Sequence, residues 1–345
     1  MSQITPMQRG NVIHYALEKL LTDFDKDTLI AMTEKELWDY FNPLLTDYLN
    51  SKLDGANQSE RFIYLFGKLV ASVCDVAQRL IKELSVCKFV PTEFEMKIGR
   101  DGEIPAYEVS SPDGKVVISG AIDRVDEAVI NGKKYIRVVD YKSSGKPFSL
   151  SDVSQGLNMQ MFIYLFALWQ NGGKKFGEFT PAGVLYYPAN SPLVSVKRNE
   201  KPEEIEKKRQ KACTMNGIVL DNIDVIEAMD ENIGGDFVPV KQGRDGITGS
   251  LISLSQLEKL KEKADSVLTE MADALRSGYI DAIPACGKNY EHVCGYCDYK
   301  AVCAYEENIA VAKLNDFDLK TALENLEKGD DGNGGQVDNG PAESN

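Results

Sequence analysis

Gly120-Ala121-Ile122-Asp123-Arg124-Val125-Asp126, then Asn131-Gly132, then Val138-Val139-Asp140-Tyr141-Lys142 is the stretch that decides the fold. An Asn-Gly pair between two β-rich runs is the strongest short-range signal for a hairpin, so the flanking segments are expected to be adjacent antiparallel strands. With residues 131 and 132 at the tip, cross-strand partners carry numbers that sum to 263. Asp123 then faces Asp140, their Cβ atoms roughly 5 Å apart on one face of the sheet. Lys142 shares that face, because strand side chains alternate. The same register pairs Asp126 with Arg137 on the opposite face, a favourable match that supports it independently.

Two facing carboxylates repel unless a cation lies between them. Hard oxygen ligands of this kind suit Mg²⁺ or Mn²⁺, with coordination positions left for water and a substrate phosphate. A divalent ion there lowers the pKa of a bound water and stabilises charge on a phosphoryl oxygen, and a nearby ammonium orients the attacking water. Metal-assisted phosphodiester hydrolysis is the chemistry indicated. An isolated Asp-Tyr-Lys is equally the plain end of a strand, so the reading leans on further features. His14 lies in Arg9-Gly10-Asn11-Val12-Ile13-His14, at the start of a helical pattern with Leu17 and Leu21 on one face. Gln160 and Tyr164, four apart on the helix after the hairpin, project to one side. A cysteine cluster lies near the end.

Together these residues resemble the RecB-like branch of the PD-(D/E)xK nucleases, through Gly10-x-x-x-His14, Gly120-x-x-Asp123, Asp140-Tyr141-Lys142 and Gln160-x-x-x-Tyr164 in that order. Met215 to Leu220, Ala228-Met229-Asp230 and Cys294 to Cys303 resemble the nuclease domain of AddB-type helicase-nuclease subunits, and the likeness covers about residues 8–306. It implies a restriction-endonuclease-like α/β (α+β) core, with a mixed central sheet flanked by helices. It implies that His14, Asp123, Asp140 and the backbone carbonyl of Tyr141 bind Mg²⁺ or Mn²⁺ and that Lys142 assists the water. Gln160 and Tyr164 would shape the site and contact DNA. The resemblance further implies a DNA substrate, trimming of the strand ending 5′ at double-strand breaks, and a helicase-nuclease partner of AddA type. A stand-alone RecB-like exonuclease and a non-catalytic DNA-end-binding module are the alternatives. An inactive copy has no reason to keep two facing carboxylates beside a lysine.

Four of the seven cysteines crowd together: Cys286, Cys294, Cys297 and Cys303. With no secretory signal and no apolar run long enough to span a bilayer, a cytoplasmic protein with reduced thiols is expected, so metal ligation explains the cluster better than disulfides do. Four thiolates can hold zinc or an iron-sulfur cluster, and spacing alone does not choose. His292 lies inside the segment and reads as a solvated loop residue. The resemblance implies a [4Fe-4S] cluster on Cys294, Cys297 and Cys303, spaced C-x2-C-x5-C, with a fourth cysteine ahead of the G-x-x-x-H segment. No cysteine precedes Gly10 here. The expectation is that the chain is part of a longer subunit, with Cys286 as the possible local fourth ligand. Cys74 reads as core, and Cys87 and Cys213 as carrying no metal.

Along the chain, residues 1–88 read as a helical region carrying the G-x-x-x-H motif, with helices near 8–25 and 33–50. Phe62, Leu65, Leu69, Val73, Val76, Leu80 and Leu84 recur at helical spacing as a buried stripe. Residues 89–190 read as the nuclease core: a strand near 89–98, a turn at Pro112-Asp113-Gly114, strands over 115–126 and 134–142, a helix from Ser149 to about Gln170, and a strand over 182–187. Residues 191–306 hold a charged helix over 202–213, a Gly-rich loop that reads as a mobile flap or a solvated insertion, a long helix over 254–277 and the cysteine segment. A terminal helix over 307–328 and a disordered tail over 329–345 complete the chain. The net charge of -14 argues for weak intrinsic DNA affinity rather than against a DNA partner, because a groove acts locally. Candidate strand contacts are Lys146, Lys174, Lys175, Lys197, Arg198 and Lys207-Lys208-Arg209. No G-x-x-x-x-G-K-[ST] loop is present, which excludes a phosphate-loop ATPase.

Overall fold

The computed structural model describes residues 5–52, 60–112, 114–142, 148–190, 192–287, 293–303, 311–329 and 337–338. The expectations for Lys146, for His292 and for most of the tail lie outside these residues. Four helices open the chain: α1 (Pro6–Asp23), α2 (Lys26–Ala31), α3 (Glu34–Lys52) and α4 (Glu60–Val86). A capping box starts α1, in which the Thr5 side chain accepts from the Gln8 amide and the Gln8 side chain accepts from the Thr5 amide. On α4 the stripe Leu69, Val73, Val76, Leu80 and Leu84 is buried, whereas Leu65 is exposed.

Then follow β1 (Val90–Ile98), β2 (Tyr107–Ser111), β3 (Gly114–Ile118), β4 (Gly120–Ile130) and β5 (Lys133–Lys142). The expected single strand over 115–126 is two, because β3 leaves the main sheet to pair with β2 and the chain turns at Ser119-Gly120. The hairpin of β4 and β5 forms in the expected register, with Arg124 opposite Val139 and Asp126 opposite Arg137. Its tip needs positive φ at both residues, and Asn131 and Gly132 supply 51° and 77°.

The predicted helix after the hairpin is two, α5 (Leu150–Ser154) and α6 (Gln160–Asn171). Gly156 (φ 84°) and Asn158 (φ 53°) both lie in the left-handed region and break it. After α7 (Gly173–Phe176), β6 (Thr180–Pro188) returns parallel to β5. The next segment is less flap-like than expected. Beyond α8 (Pro202–Ala212), β7 (Asn216–Leu220) joins the central sheet, followed by α9 (Ile223–Met229). The Gly-rich stretch is a small hairpin, β8 (Val240–Gly243) with β9 (Gly246–Gly249), leading to β10 (Leu251–Ile252) and α10 (Leu254–Arg276). The end holds β11 (Ala285–Cys286), a short 3-10 turn (Val293–Tyr296), α11 (Lys300–Cys303), β12 (Val311–Lys313), α12 (Leu319–Lys328) and β13 (Val337–Asp338). The expected helix over 307–328 is thus shorter: residues 311–313 pair as a strand, and Asp318 caps the helix behind them.

The central sheet is six-stranded and mixed, in the order β1-β4-β5-β6-β7-β10. One face packs on α1, α3, α4 and α9 through Leu17, Phe41, Val73, Val139 and Leu185. The other packs on α6 and α10 through Ile122, Val138, Phe162, Leu165 and Leu260. With both faces covered, the sheet forms the middle layer of a three-layer body, and β4 and β5 are both interior strands of it.

Between the sheet and α4 lies a buried charge network. Asp126 accepts from Arg124 Nε and Arg137 Nε at 2.8 Å each, and Arg137 Nη2 donates to Glu83 at 2.6 Å. Burial opposes ionisation of Asp126, but the two guanidiniums outweigh it and hold the carboxyl below its ordinary value. The Asp126–Arg137 pair, a simple cross-strand contact in the sequence, is therefore half of a sealed four-charge cluster.

Candidate active site

Helix α1 buries Val12, Ile13, Ala16 and Leu17, which turns His14 toward the end of β5. Its Nε2 lies 2.9 Å from the Tyr141 carbonyl oxygen. Its Nδ1 lies 3.4 Å from Asp123 Oδ2 and 3.7 Å from Glu95 Oε1. Asp123 Oδ2 also accepts from the Tyr141 amide at 2.9 Å. Tyr141 thus presents its N–H and its C=O to the site, while its ring packs in the same layer as α1, edge-on to the His14 ring with centres 5.5 Å apart, and Arg124 Nη1 donates to its hydroxyl at 3.3 Å.

The hairpin pairing ends at Arg124 opposite Val139, and beyond it Asp140 lies near enough to Asp123 for its charge to act on that carboxyl. Asp140 is nearly buried, and its Oδ2 lies 2.8 Å from the half-exposed Lys142 ammonium. That ammonium also sits 5.8 Å from the centre of the Tyr186 ring on β6. The Asp123 carboxyl is pushed up to about 6, first by burial and then by the charge of Asp140, against the pull of His14 and the Tyr141 amide. Burial disfavours the charged form of His14, but the Glu95 hydrogen bond, Asp123 and the Tyr141 carbonyl outweigh it and raise its pKa.

Such crowding of negative charge is what a divalent cation relieves. Among the described residues, His14, Glu95 and Asp123 are the group whose ligand atoms all lie within 4.8 Å of one another. One imidazole, two carboxylates and a peptide oxygen are a donor set that Mg²⁺ or Mn²⁺ accepts. The residues present fit the ion.

Glu95 and Tyr186 belong to no motif that marks them in the sequence. Glu95 is recruited by backbone geometry. Its φ of 45° is left-handed inside a strand, uncommon for a non-glycine residue, and it lies across from Asp123 between the pairs Phe94–Arg124 and Met96–Ile122. The alternation of β4 breaks at the same level, since Ile122 and Val125, three apart, enter one core layer. Sequence periodicity carries no trace of this kink.

On α6, Gln160 Nε2 donates to the Tyr164 hydroxyl at 3.0 Å. Tyr164 lies across Gly120: a Cβ there would come within 2.4 Å of its hydroxyl oxygen. The glycine three residues before Asp123 is therefore a close-approach position, and it brings Gln160 and Tyr164 to the end of β4 that carries Asp123.

Cys294 and Cys286 are partly exposed, Cys297 and Cys303 are exposed, and none of the four belongs to a metal-sized group among the described residues. Cys74 and Cys87 are buried, and Cys213 lies 2.9 Å from Arg79 Nη1. Of the proposed strand contacts, Lys175 pairs with Glu93 at 2.7 Å, Lys208 with Glu200 at 2.5 Å and Arg209 with Glu206 at 3.9 Å. No helix among the described residues is long and apolar enough to cross a membrane.

Comparison with known proteins agrees with this geometry. Curated relatives named as subunits of an ATP-dependent helicase/deoxyribonuclease include those of Clostridium kluyveri, 29% identical over 90% of this chain and 28% of that protein, and Clostridium novyi, 31% identical over 88% and 28%. That of Clostridium tetani is 30% identical over 87% of this chain and 27% of its own length. The chain spans just over a quarter of the length of these relatives. The family model described as the PD-(D/E)XK nuclease superfamily matches residues 1–304, and the chain belongs to that superfamily.

Proposed function

We infer that the chain hydrolyses DNA phosphodiester bonds with a divalent cation, as the nuclease part of an AddB-type subunit acting in the cytoplasm on double-strand breaks beside a helicase-nuclease partner of AddA type. One observation carries the reading: His14, Glu95 and Asp123 bring ligand atoms within 4.8 Å of one another, with His14 on the Tyr141 carbonyl, beside a buried Asp140 that holds Lys142. The names of the relatives support the DNA substrate and the partner.

His14, Asp123, Asp140 and the Tyr141 carbonyl would hold the cation, with Glu95 as an added ligand. When bound, the ion supplies an acidified water and stabilises charge on the phosphate. The chain's own groups do the rest. Asp140 fixes the Lys142 ammonium at the mouth of the site, where it orients an attacking water and balances charge on a non-bridging oxygen. Gln160 and Tyr164, locked to each other over Gly120, hold the sugar-phosphate against that end of β4. The test is cleavage of single-stranded and duplex DNA with Mg²⁺ or Mn²⁺. Asp140→Ala and Lys142→Ala should each lower turnover on the order of a hundredfold, while equal rates in all three proteins would remove the assignment.

Cys294, Cys297 and Cys303 are proposed as iron-sulfur ligands in the intact subunit on the strength of their C-x2-C-x5-C spacing, with Cys286 the alternative fourth thiolate and zinc the alternative metal. Absorbance near 400 nm after anaerobic purification separates the two.

A further inference from the structure

Beside the site opens a cleft of about 780 Å³ between α1, α3 and β1, a size typical of small-ligand pockets. His14 and Glu95 are among its lining residues, so it is continuous with the candidate site. Tyr15 and Tyr48 line it as a stacked pair, ring centres 4.4 Å apart and planes inclined by 30°. Tyr15 gives one face to Tyr48 and has the Lys19 ammonium 5.8 Å from its ring centre. Tyr48, partly buried against the core, is the other ring of the pair and lines the cleft.

The remaining walls decide what enters. Glu18 and Asp47 join Glu95 in lining the cleft, so a phosphate placed there would meet three carboxylates. A nucleobase is neutral, carries a π-face that stacks on tyrosine, and has amino groups that donate to carboxylates. The cleft therefore rejects the backbone of a DNA strand and accepts its base.

We propose that this cleft receives the unpaired base of a nucleotide next to the scissile phosphate, with Tyr48 as the stacking platform. The inference rests on the nuclease reading and adds to it a base-binding subsite at the cleft. A paired base would have to leave its duplex stack to enter, at a cost that single strands do not bear.

The experiment measures kcat/KM with Mg²⁺ or Mn²⁺ on two single strands of equal length, one of mixed sequence and one built of tetrahydrofuran abasic units. The parent should cleave the base-bearing strand about tenfold or more faster, in line with the usual worth of one stacked base. Tyr48→Leu, which keeps an apolar side chain against the core, should bring the base-bearing strand close to the abasic rate and leave the abasic rate unchanged. Tyr48→Phe should behave as the parent. Equal cleavage of both strands by the parent, or equal slowing of both by Tyr48→Leu, overturns the inference while leaving the nuclease reading intact. A parent that cuts neither strand overturns that reading and the inference together.

Discussion

At the scale of single residues, Asp123 works against the stability of the fold it serves. Its carboxyl, raised to about 6 against an ordinary 3.8, keeps a proton in the folded chain that the unfolded chain releases. Folding stability of the metal-free protein should therefore fall as pH rises from about 4 through 6, by roughly 3 kcal/mol for two pKa units. His14, raised from 6.5, adds stability that is complete below its unfolded pKa and is lost as pH climbs through its higher folded value. Thermal melts in chelator between pH 5 and 8 should thus show a declining midpoint, and Mn²⁺ should restore it at the upper end. Asp123→Asn removes the repelled charge while keeping an acceptor for the Tyr141 amide. It is expected to raise the melting midpoint in chelator at pH 7.5 and to lower DNA cleavage on the order of a hundredfold or more, a trade of stability against function. His14, Asp123, Asp140 and Lys142 are legible in the sequence because their spacing is tied to a helix start and a hairpin register. Glu95 is not, because strict alternation puts it on the same face as Glu93 and nothing local marks its left-handed turn.

At the scale of elements, glycines set how closely parts approach. Gly120→Ala should push Tyr164 off β4 and lower kcat/KM on the order of tenfold to a hundredfold, with the circular dichroism spectrum unchanged. At Gly217 the obstacle is backbone: a Cβ would lie 2.0 Å from the Val184 carbonyl oxygen, at a φ of 131°. Gly217→Ala should prise β7 from β6 and cost several kcal/mol in urea denaturation. The hairpin is legible because Asn-Gly has one favoured turn. Strand β7 is not, since Asn216-Gly217 reads locally as a loop and its pairing with β6 is a contact distant in sequence. The break between α5 and α6 is hidden for the opposite reason, as apolar periodicity runs on past Gly156 and Asn158.

At the scale of the whole molecule, the sealed cluster of Glu83, Arg124, Asp126 and Arg137 fastens the helical layer to the sheet. Arg137→Met should cost about 3–5 kcal/mol, because it strands Glu83 without its closest cation. Adding Glu83→Gln should recover part of that loss in the same urea titration. The mixed sheet and its two helical layers can be anticipated from the sequence. The cluster cannot, because Glu83 sits on α4 and meets the strands only when the layers close.

Tyr141 gives the site two main-chain atoms, and its ring packs beside His14 in the layer of α1 and α4, where Arg124 holds its hydroxyl. Codon changes at this position alter the ring and leave the peptide group in place. An allele encoding any residue other than proline, which lacks the N–H, still offers a carbonyl to His14 and an amide to Asp123, so loss-of-activity alleles should gather at the surrounding acids and the lysine. Weakening the carbonyl as an acceptor calls for chemical synthesis, with a thioamide or an ester in place of that one linkage.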